Sequence, residues 1–216
     1  GKSPAFGRGL EGQRESLFIF AFCLAPKKKN FKFWLEWERS AYFCCFLLLN
    51  SIGMTKILLL SDTHSHIDEA ILKHVAWADE VWHAGDIGDL SVTDTLKKHK
   101  SLRAVYGNID GNEARIEFPL NNRFMCEQVS VWITHIGGYP GKYNPAIRDE
   151  MATNPPKLFI CGHSHILKVQ FDKKHNLLHM NPGAAGKSGF HQVRTLLRFV
   201  IDGDKIKDLE IVEMKK

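Results

Sequence analysis

Cysteine is scarce in this 216-residue chain, and what there is cannot build a covalent framework. Cys23, Cys44, Cys45, Cys126 and Cys161 are odd in number, and no two stand in a Cys-x-x-Cys pair. That excludes a disulfide scaffold and points to a reducing, cytoplasmic location. Cys161 reads as a small buried residue at a strand end. Long apolar runs are missing too. Leu17–Ala25 and Ala41–Leu49 have nine residues each, about half of the ~18 a membrane-crossing helix needs. Nor is there much excess positive charge after residue 53. Residues 1–53 hold eight Lys and Arg against four Asp and Glu, which leaves only +1 of the net +5 for residues 54–216. The basic balance therefore belongs mostly to the front quarter and gives the rest no strong nucleic-acid signal.

Two different compositions meet near Met54. All 11 histidines lie after residue 53, whereas 11 of the 23 aromatic residues lie before it. Residues 1–53 are accordingly expected to be an N-terminal extension. An upstream-translated segment, a packing or membrane-surface appendage and a cleaved signal are the three readings of it. Residues 54–216 form the functional domain.

From Met54 onward, short apolar runs alternate with helical patterns, as in βαβ units. Lys56–Leu60, Glu80–Ala84, Leu102–Tyr106, Val129–Thr134 and Leu158–Cys161 read as strands. Asp68–Ala78, Ser91–Lys100 and Asn144–Thr153 read as helices, with Ser91 as the N-cap of the second. The last third changes style. Leu167–Phe171, Leu177–Met180, Thr195–Ile201 and Ile206–Val212 read as strands joined by tight polar turns.

What is abundant is a series of oxygen and nitrogen donors at strand ends. Asp62 and His64 follow the first strand, Asp86 the second, Asn108 the third, His135 the fourth, and His163 with His165 the fifth. In sheets built of βα units, ligands bind beyond the carboxyl ends of strands, where loops converge on a rigid support. Hard donors with no thiol suit a pair of divalent cations, a device for moving phosphoryl groups. Each piece alone has a plainer reading. Asp-x-His is common, Gly107-Asn108-Ile109-Asp110 is more often a turn, and His135 alone is more often a satisfied core histidine. Gly162-His163-Ser164-His165 is the most specific, because alternate histidines at a glycine turn can address two neighbouring metals. Gly183–Ser188 imitates a phosphate-binding loop, but Asn181 stands where that loop needs glycine, so it reads as a turn passing the site. His66, His83 and Gly183 are candidates for the rim or the support of the ligands, and His179 is a weaker one.

In this order, Asp-x-His, Gly-Asp, Gly-Asn-x-Asp, a lone His and Gly-His-x-His resemble the calcineurin-like metallophosphoesterase superfamily. Asn181-Pro182-Gly183 and the short length resemble its small prokaryotic phosphodiesterase branch, related in fold to the retromer scaffold subunit. The resemblance implies an α/β fold, a four-layer α/β/β/α sandwich of two mostly parallel or mixed sheets. It implies one metal on Asp62, His64 and His165 and another on Asn108, His135 and His163, with Asp86 bridging. Asp86, Asn108, Asp110 and His135 are the catalytic set it implies, Asp110 orienting a ligand or water. The cofactor implied is a pair of divalent ions, Mn²⁺ first, with Fe, Zn or Ni as alternatives. The expected reaction is hydrolysis of a small phosphate ester, a diester before a monoester, by in-line attack of a metal-bridging hydroxide. The rival is a catalytically weak protein-binding scaffold of the same fold. Two positions depart from the family pattern: Ile109 stands where many members have a histidine, and Ile136 where glycine often follows the lone histidine. The sequence is compatible with a homo-oligomer.

Overall fold

The computed structural model describes residues 53–216, and the expectations for residues 1–52 lie outside the described residues. Strands and helices run β1 (Thr55–Leu60), α1 (Glu69–Trp77), β2 (Glu80–His83), α2 (Ser91–His99), β3 (Ser101–Ala104), α3 (Asn112–Glu117) and β4 (Asn121–Cys126). They continue as β5 (Val129–Thr134), β6 (Gly138–Tyr139), β7 (Lys142–Tyr143), α4 (Pro145–Thr153), β8 (Leu158–Ile160) and β9 (Leu167–Asp172). The chain ends with β10 (Leu177–Pro182), β11 (Val193–Asp202) and β12 (Lys205–Lys215).

Two five-stranded sheets form, in the orders β12-β11-β1-β2-β3 and β4-β5-β8-β10-β9, with β6 and β7 as a separate small ribbon. Both are mixed. In the first, β1, β2 and β3 are parallel, while β11 joins β1 and β12 joins β11 antiparallel. In the second, β8 lies parallel between β5 and β10, and the edges β4 and β9 are antiparallel.

β1 shows why its sequence is an unbroken apolar run. Side chains alternate across a strand, so Ile57 and Leu59 enter the core between the sheets while Leu58 and Leu60 face the helices. The inner core joins them and Trp82, Phe199 and Leu197 to Val131, Ile133, Ile160 and Met180 of the other sheet. α1 and α2 cover the outer face of the first sheet through Ile71, Val75, Val92 and Leu96. α4 covers the second through Ile147 and Met151 against Trp132 and Phe159. The order of layers is helix, sheet, sheet, helix.

Local chemistry sets the helix starts. Asp68 Oδ1 accepts from Ile71 N at 3.1 Å to cap α1, and Asn144 Oδ1 accepts from Ala146 N at 2.9 Å to cap α4 ahead of Pro145. For α2 the expected cap is displaced. Leu90 is the N-cap, Ser91 is the first helical residue, and the Asp89 carboxylate accepts from Ser91 N at 2.8 Å. The sequence reading also missed β4 and α3 and ended β12 three residues early. With β4 added, His135 follows the fifth strand rather than the fourth, and His163 follows β8.

Candidate metal centre

The seven donors sit past strand ends, five of them in backbone that few side chains tolerate. Asp62, His64, Asp86, His163 and His165 have φ of 55°, 46°, 54°, 68° and 56°. Left-handed backbone at non-glycine residues costs of order 1–3 kcal/mol each and persists where the surroundings enforce it. Here backbone bonds enforce it. Past the strand ends β1 and β2 stay zipped, as Asp62 N donates to Gly85 O, His64 N to Asp86 O and Ser65 N to Ile87 O. Gly162 N donates to His135 O, which joins the loops after β5 and β8. Two glycines let the loops meet. A Cβ at Gly107 would stand 2.1 Å from Asp86 Oδ1, and one at Gly162 would stand 2.0 Å from Ser61 Oγ and 2.9 Å from Asp62 Oδ2.

Two groups of three donors result, Asp62 with His64 and His165, and Asp86 with His135 and His163, each with its ligand atoms within 4.8 Å of one another. Asp86 reaches toward both: Oδ1 is 3.1 Å from His135 Nε2 and Oδ2 is 3.8 Å from His64 Nε2. Asn108 Oδ1 lies 3.1 Å from His135 Nε2, so the amide joins the second group.

The donor chemistry fits cations there. His135 Nδ1 lies 2.7 Å from Ala84 O, which fixes the proton of a neutral ring on Nδ1. The bare Nε2 then faces the oxygens of Asp86 and Asn108, an arrangement of three lone pairs that only a proton or a metal ion relieves. The other group repeats this. His64 Nε2 and His165 Nε2 are 3.3 Å apart, and the buried Asp62 Oδ1, 3.3 Å from His165 Nε2, has no hydrogen bond of acceptable geometry. The remaining oxygen, Asp62 Oδ2, accepts from His163 N at 3.2 Å. Without cations, protons are the stand-in. Burial works to lower the His135 pKa, but the carboxylates of Asp86 and Asp62 outweigh it and raise it. For His165 the Asp62 carboxylate is the leading cause, and it too is raised. Burial works to raise Asp86, and His135, Ile109 N and His64 hold it below the ordinary carboxylate value.

The supporting residues are placed as follows. His83 is fully buried, accepts from Gly85 N on Nδ1 at 3.1 Å and donates from Nε2 to Thr63 Oγ1 at 2.9 Å, and Thr63 donates to Ile87 O. Asp110 faces backbone rather than ligands: Oδ1 accepts from Gly88 N at 2.8 Å and Oδ2 from Gly107 N at 2.7 Å, clamping the loops of Asp86 and Asn108 together. His66 lies 3.0 Å from Asp68, at the start of α1. Gly183 packs on Thr195, where a Cβ would meet Oγ1 at 2.1 Å. The loop it opens does pass the site, but Ala185 N and Gly186 N donate to Ser61 O and Asp62 O and so cradle no phosphate. Cys161, buried and with its thiol pushed up to about 12 by burial, belongs to neither donor group.

Three further residues escaped the sequence reading. Arg194 is buried, holds Asp68 with two nitrogens at 2.8 and 3.1 Å and donates to Ala185 O. Asn181 Nδ2 donates to Gly162 O at 2.8 Å and Ser164 Oγ at 3.1 Å, bracing the histidine loop. Arg115 donates to Asp110 O and lies over the Tyr106 ring at 4.8 Å, beside Asn108. Asn181 carries a signal in its Asn-Pro-Gly context. The two arginines carry none, because their partners are distant in sequence or are backbone.

Two mixed sheets sandwiched by helices, with hard donors gathered where the strand ends of both sheets meet, define a metal-dependent phosphoesterase fold. The chain belongs to the calcineurin-like phosphoesterase superfamily, whose domain matches residues 55–204. No curated protein is matched. Among solved structures it is similar to an archaeal phosphodiesterase at 21% identity, with a TM-score of 0.58 over 74% of this chain and 99% of that one. A predicted phosphoesterase from Streptococcus pneumoniae aligns at 20% identity and TM-score 0.55, over 76% and 91% of the two chains. Zinc-complexed Vps29 from Entamoeba histolytica aligns at 14% and 0.57, over 74% and 98%. These likenesses show the fold. Among the described residues, no helix is long and apolar enough to cross a membrane.

Proposed function

We propose that this protein is a metal-dependent phosphodiesterase, acting on a small phosphate diester in the cytoplasm. The observation that carries the reading is the convergence of the two three-donor groups on either side of Asp86. Asp62, His64 and His165 would hold one divalent ion, and Asn108, His135 and His163 the other, with Asp86 between; Mn²⁺ is the first candidate and Fe, Zn and Ni the alternatives. When bound, such a pair supplies a nucleophilic water near neutral pH and neutralises charge on the phosphoryl oxygens. Water adds to phosphorus as one P–O ester bond breaks, and the leaving alcohol takes the proton, giving a monoester and an alcohol.

The chain's own residues shape the outcome. Asn108 and His163 are exposed and stand at the mouth, whereas Asp62, Asp86 and His135 are buried and fix the floor. Ile109, 47% exposed beside Asn108, offers no proton to a leaving group, so esters of acidic alcohols such as nitrophenols are turned over best. No Lys or Arg belongs to the donor motifs, which leaves a dianionic monoester without a dedicated partner there and favours a diester.

A second reading is a protein-docking scaffold. It is favoured by three isoleucines, Ile109, Ile136 and Ile166, that directly follow the donors Asn108, His135 and His165 and are 47%, 39% and 66% exposed. Against it, every donor position is filled.

The test is metal analysis of purified protein with kinetics on aryl esters after metal removal and Mn²⁺ readdition. Two ions per chain are expected, with diester turnover above monoester turnover. Asp86→Asn and His135→Ala should each lose metal and at least about 10²-fold in turnover. Unchanged metal content and turnover in both variants would remove the metal-centre reading; full loading without hydrolysis of any ester would favour the scaffold.

A further inference from the structure

Two hollows flank Ile136, and each ends on donors of the second metal group. One, about 480 Å³, runs from His163 past Ile166 and Tyr139 to Lys142, Arg148 and Lys168. The other, about 450 Å³, runs from Asn108 and His135 to Tyr106, Leu120 and Arg115. They share Ile136 and Asn144. Both volumes lie in the range of about 300–1,000 Å³ that organic ligands fill. The hollows end on His163 and His135, whose ring centroids are 5.3 Å apart, so the two substituents of one phosphoryl group held between them would enter one hollow each.

The hollows differ in charge. No carboxylate lines the first, and among the described residues the ion pairs of Lys and Arg involve other side chains, at Lys97, Arg103, Arg123, Arg194, Arg198 and Lys207. Lys142, Arg148 and Lys168 thus face one hollow without acidic partners, Lys168 resting over the Tyr139 ring at 4.3 Å. A further hollow that shares Arg148 and Tyr143 adds Lys173 and Lys174, and its one carboxylate, Asp172, is occupied by Tyr143 Oη at 2.7 Å and His175 Nδ1 at 2.8 Å. In the hollow beside Asn108 the only charged side chain is Arg115, which is tied to Asp110 O. Unpaired like charges lining one cleft draw in an anion and are relieved by it.

We propose that the substrate is a phosphodiester with one arm bearing a further phosphate, seated on Lys142, Arg148 and Lys168, while the uncharged arm lies beside Asn108. This deepens the hydrolytic reading and rests on it. The arm is short, because the net charge of only +1 over residues 54–216 leaves little cationic surface for a long strand.

The experiment compares three probes on the full chain with Mn²⁺: dithymidine monophosphate, its 5′-phosphorylated form and a ten-nucleotide single strand. The 5′-phosphate should raise kcat/KM by about tenfold, and Arg148→Glu and Lys168→Glu should each bring that ratio back toward one. Calorimetric binding of the phosphorylated dinucleotide to metal-free protein should weaken in the same variants. No gain from the 5′-phosphate, or a gain that survives both substitutions, overturns the proposal. Slower cleavage of the ten-nucleotide strand than of the phosphorylated dinucleotide supports the short arm, and faster cleavage overturns it. If no diester is hydrolysed yet phosphate-dependent binding is lost in the variants, the hydrolytic reading fails and the seat stands.

Discussion

His83 illustrates how a single residue can be decisive without touching the chemistry. It is fully buried, accepts from Gly85 N and donates to Thr63, so it holds the turns that carry Asp62, His64 and Asp86 only as a neutral ring. Burial is the main cause that pulls its pKa down to about 4. A histidine whose folded pKa lies below its unfolded value of ~6.5 destabilises the fold as pH falls from there toward the folded value, here by about 3 kcal/mol in full. His83→Gln removes the titration along with one ring hydrogen bond. It should be about 1–2 kcal/mol less stable than wild type at pH 7, with the gap closing and then reversing as pH falls toward 4.5. Denaturant midpoints of metal-free protein across that range check this; a constant gap would mean that the ring is not held neutral. Residues of this kind were only partly legible in the sequence. The donors declared themselves by chemical type and by place after apolar runs, whereas Thr63, Arg194 and the clamp role of Asp110 depend on backbone partners, which carry no side-chain signal in the sequence.

Among the elements, the loop after β3 is rigid because Asp110 ties it to the loop after β2, each carboxylate oxygen taking one backbone N–H. Asp110→Asn turns one acceptor into a donor that faces an N–H. The expected outcome is metal affinity down by about 10–100-fold and stability down by about 1–2 kcal/mol, with a native circular dichroism spectrum. Chelator competition measures the first and urea unfolding the second; unchanged affinity would show that the two loops keep their places without the clamp. Element placement was legible wherever two faces are buried, since β1, β2, β5 and β8 are mostly buried and carry short apolar runs. β4 and α3 were not. β4 is a polar edge strand whose Phe124 packs on Trp82 and under Arg103, and only its last residue, Cys126, is buried. α3 has six residues, buries Ala114 alone and leaves Ile116 87% exposed, so it has no apolar period to read.

For the whole domain, the donors come from both sheets: Asp62, His64 and Asp86 follow β1 and β2, and His135, His163 and His165 follow β5 and β8. Each three-donor group mixes the two sheets, so a cation held there would fasten them together across the inner core. Binding to the folded state alone adds about 2.7 kcal/mol at a free metal concentration one hundred times Kd, a rise in Tm of about 5–10 °C for a domain of this size. The rise must depend on pH, and its sign follows from the shifts. His135 and His165 have folded pKa values above their unfolded ones, chiefly through Asp86 and Asp62, although burial opposes both. Their protonated forms therefore stabilise metal-free protein below ~pH 6.5, and this contribution is lost as pH rises through the folded values. Cations bound at these nitrogens would replace those protons. Metal-free and Mn²⁺-loaded protein should then show melting temperatures that diverge as pH rises from about 5.5 to 7.5 and meet at the acid end. Thermal melts over that range, with chelator or with excess Mn²⁺, measure it. A metal-induced rise that is the same at every pH would mean that the ions bind away from these imidazoles and that protons and cations do not compete for one site.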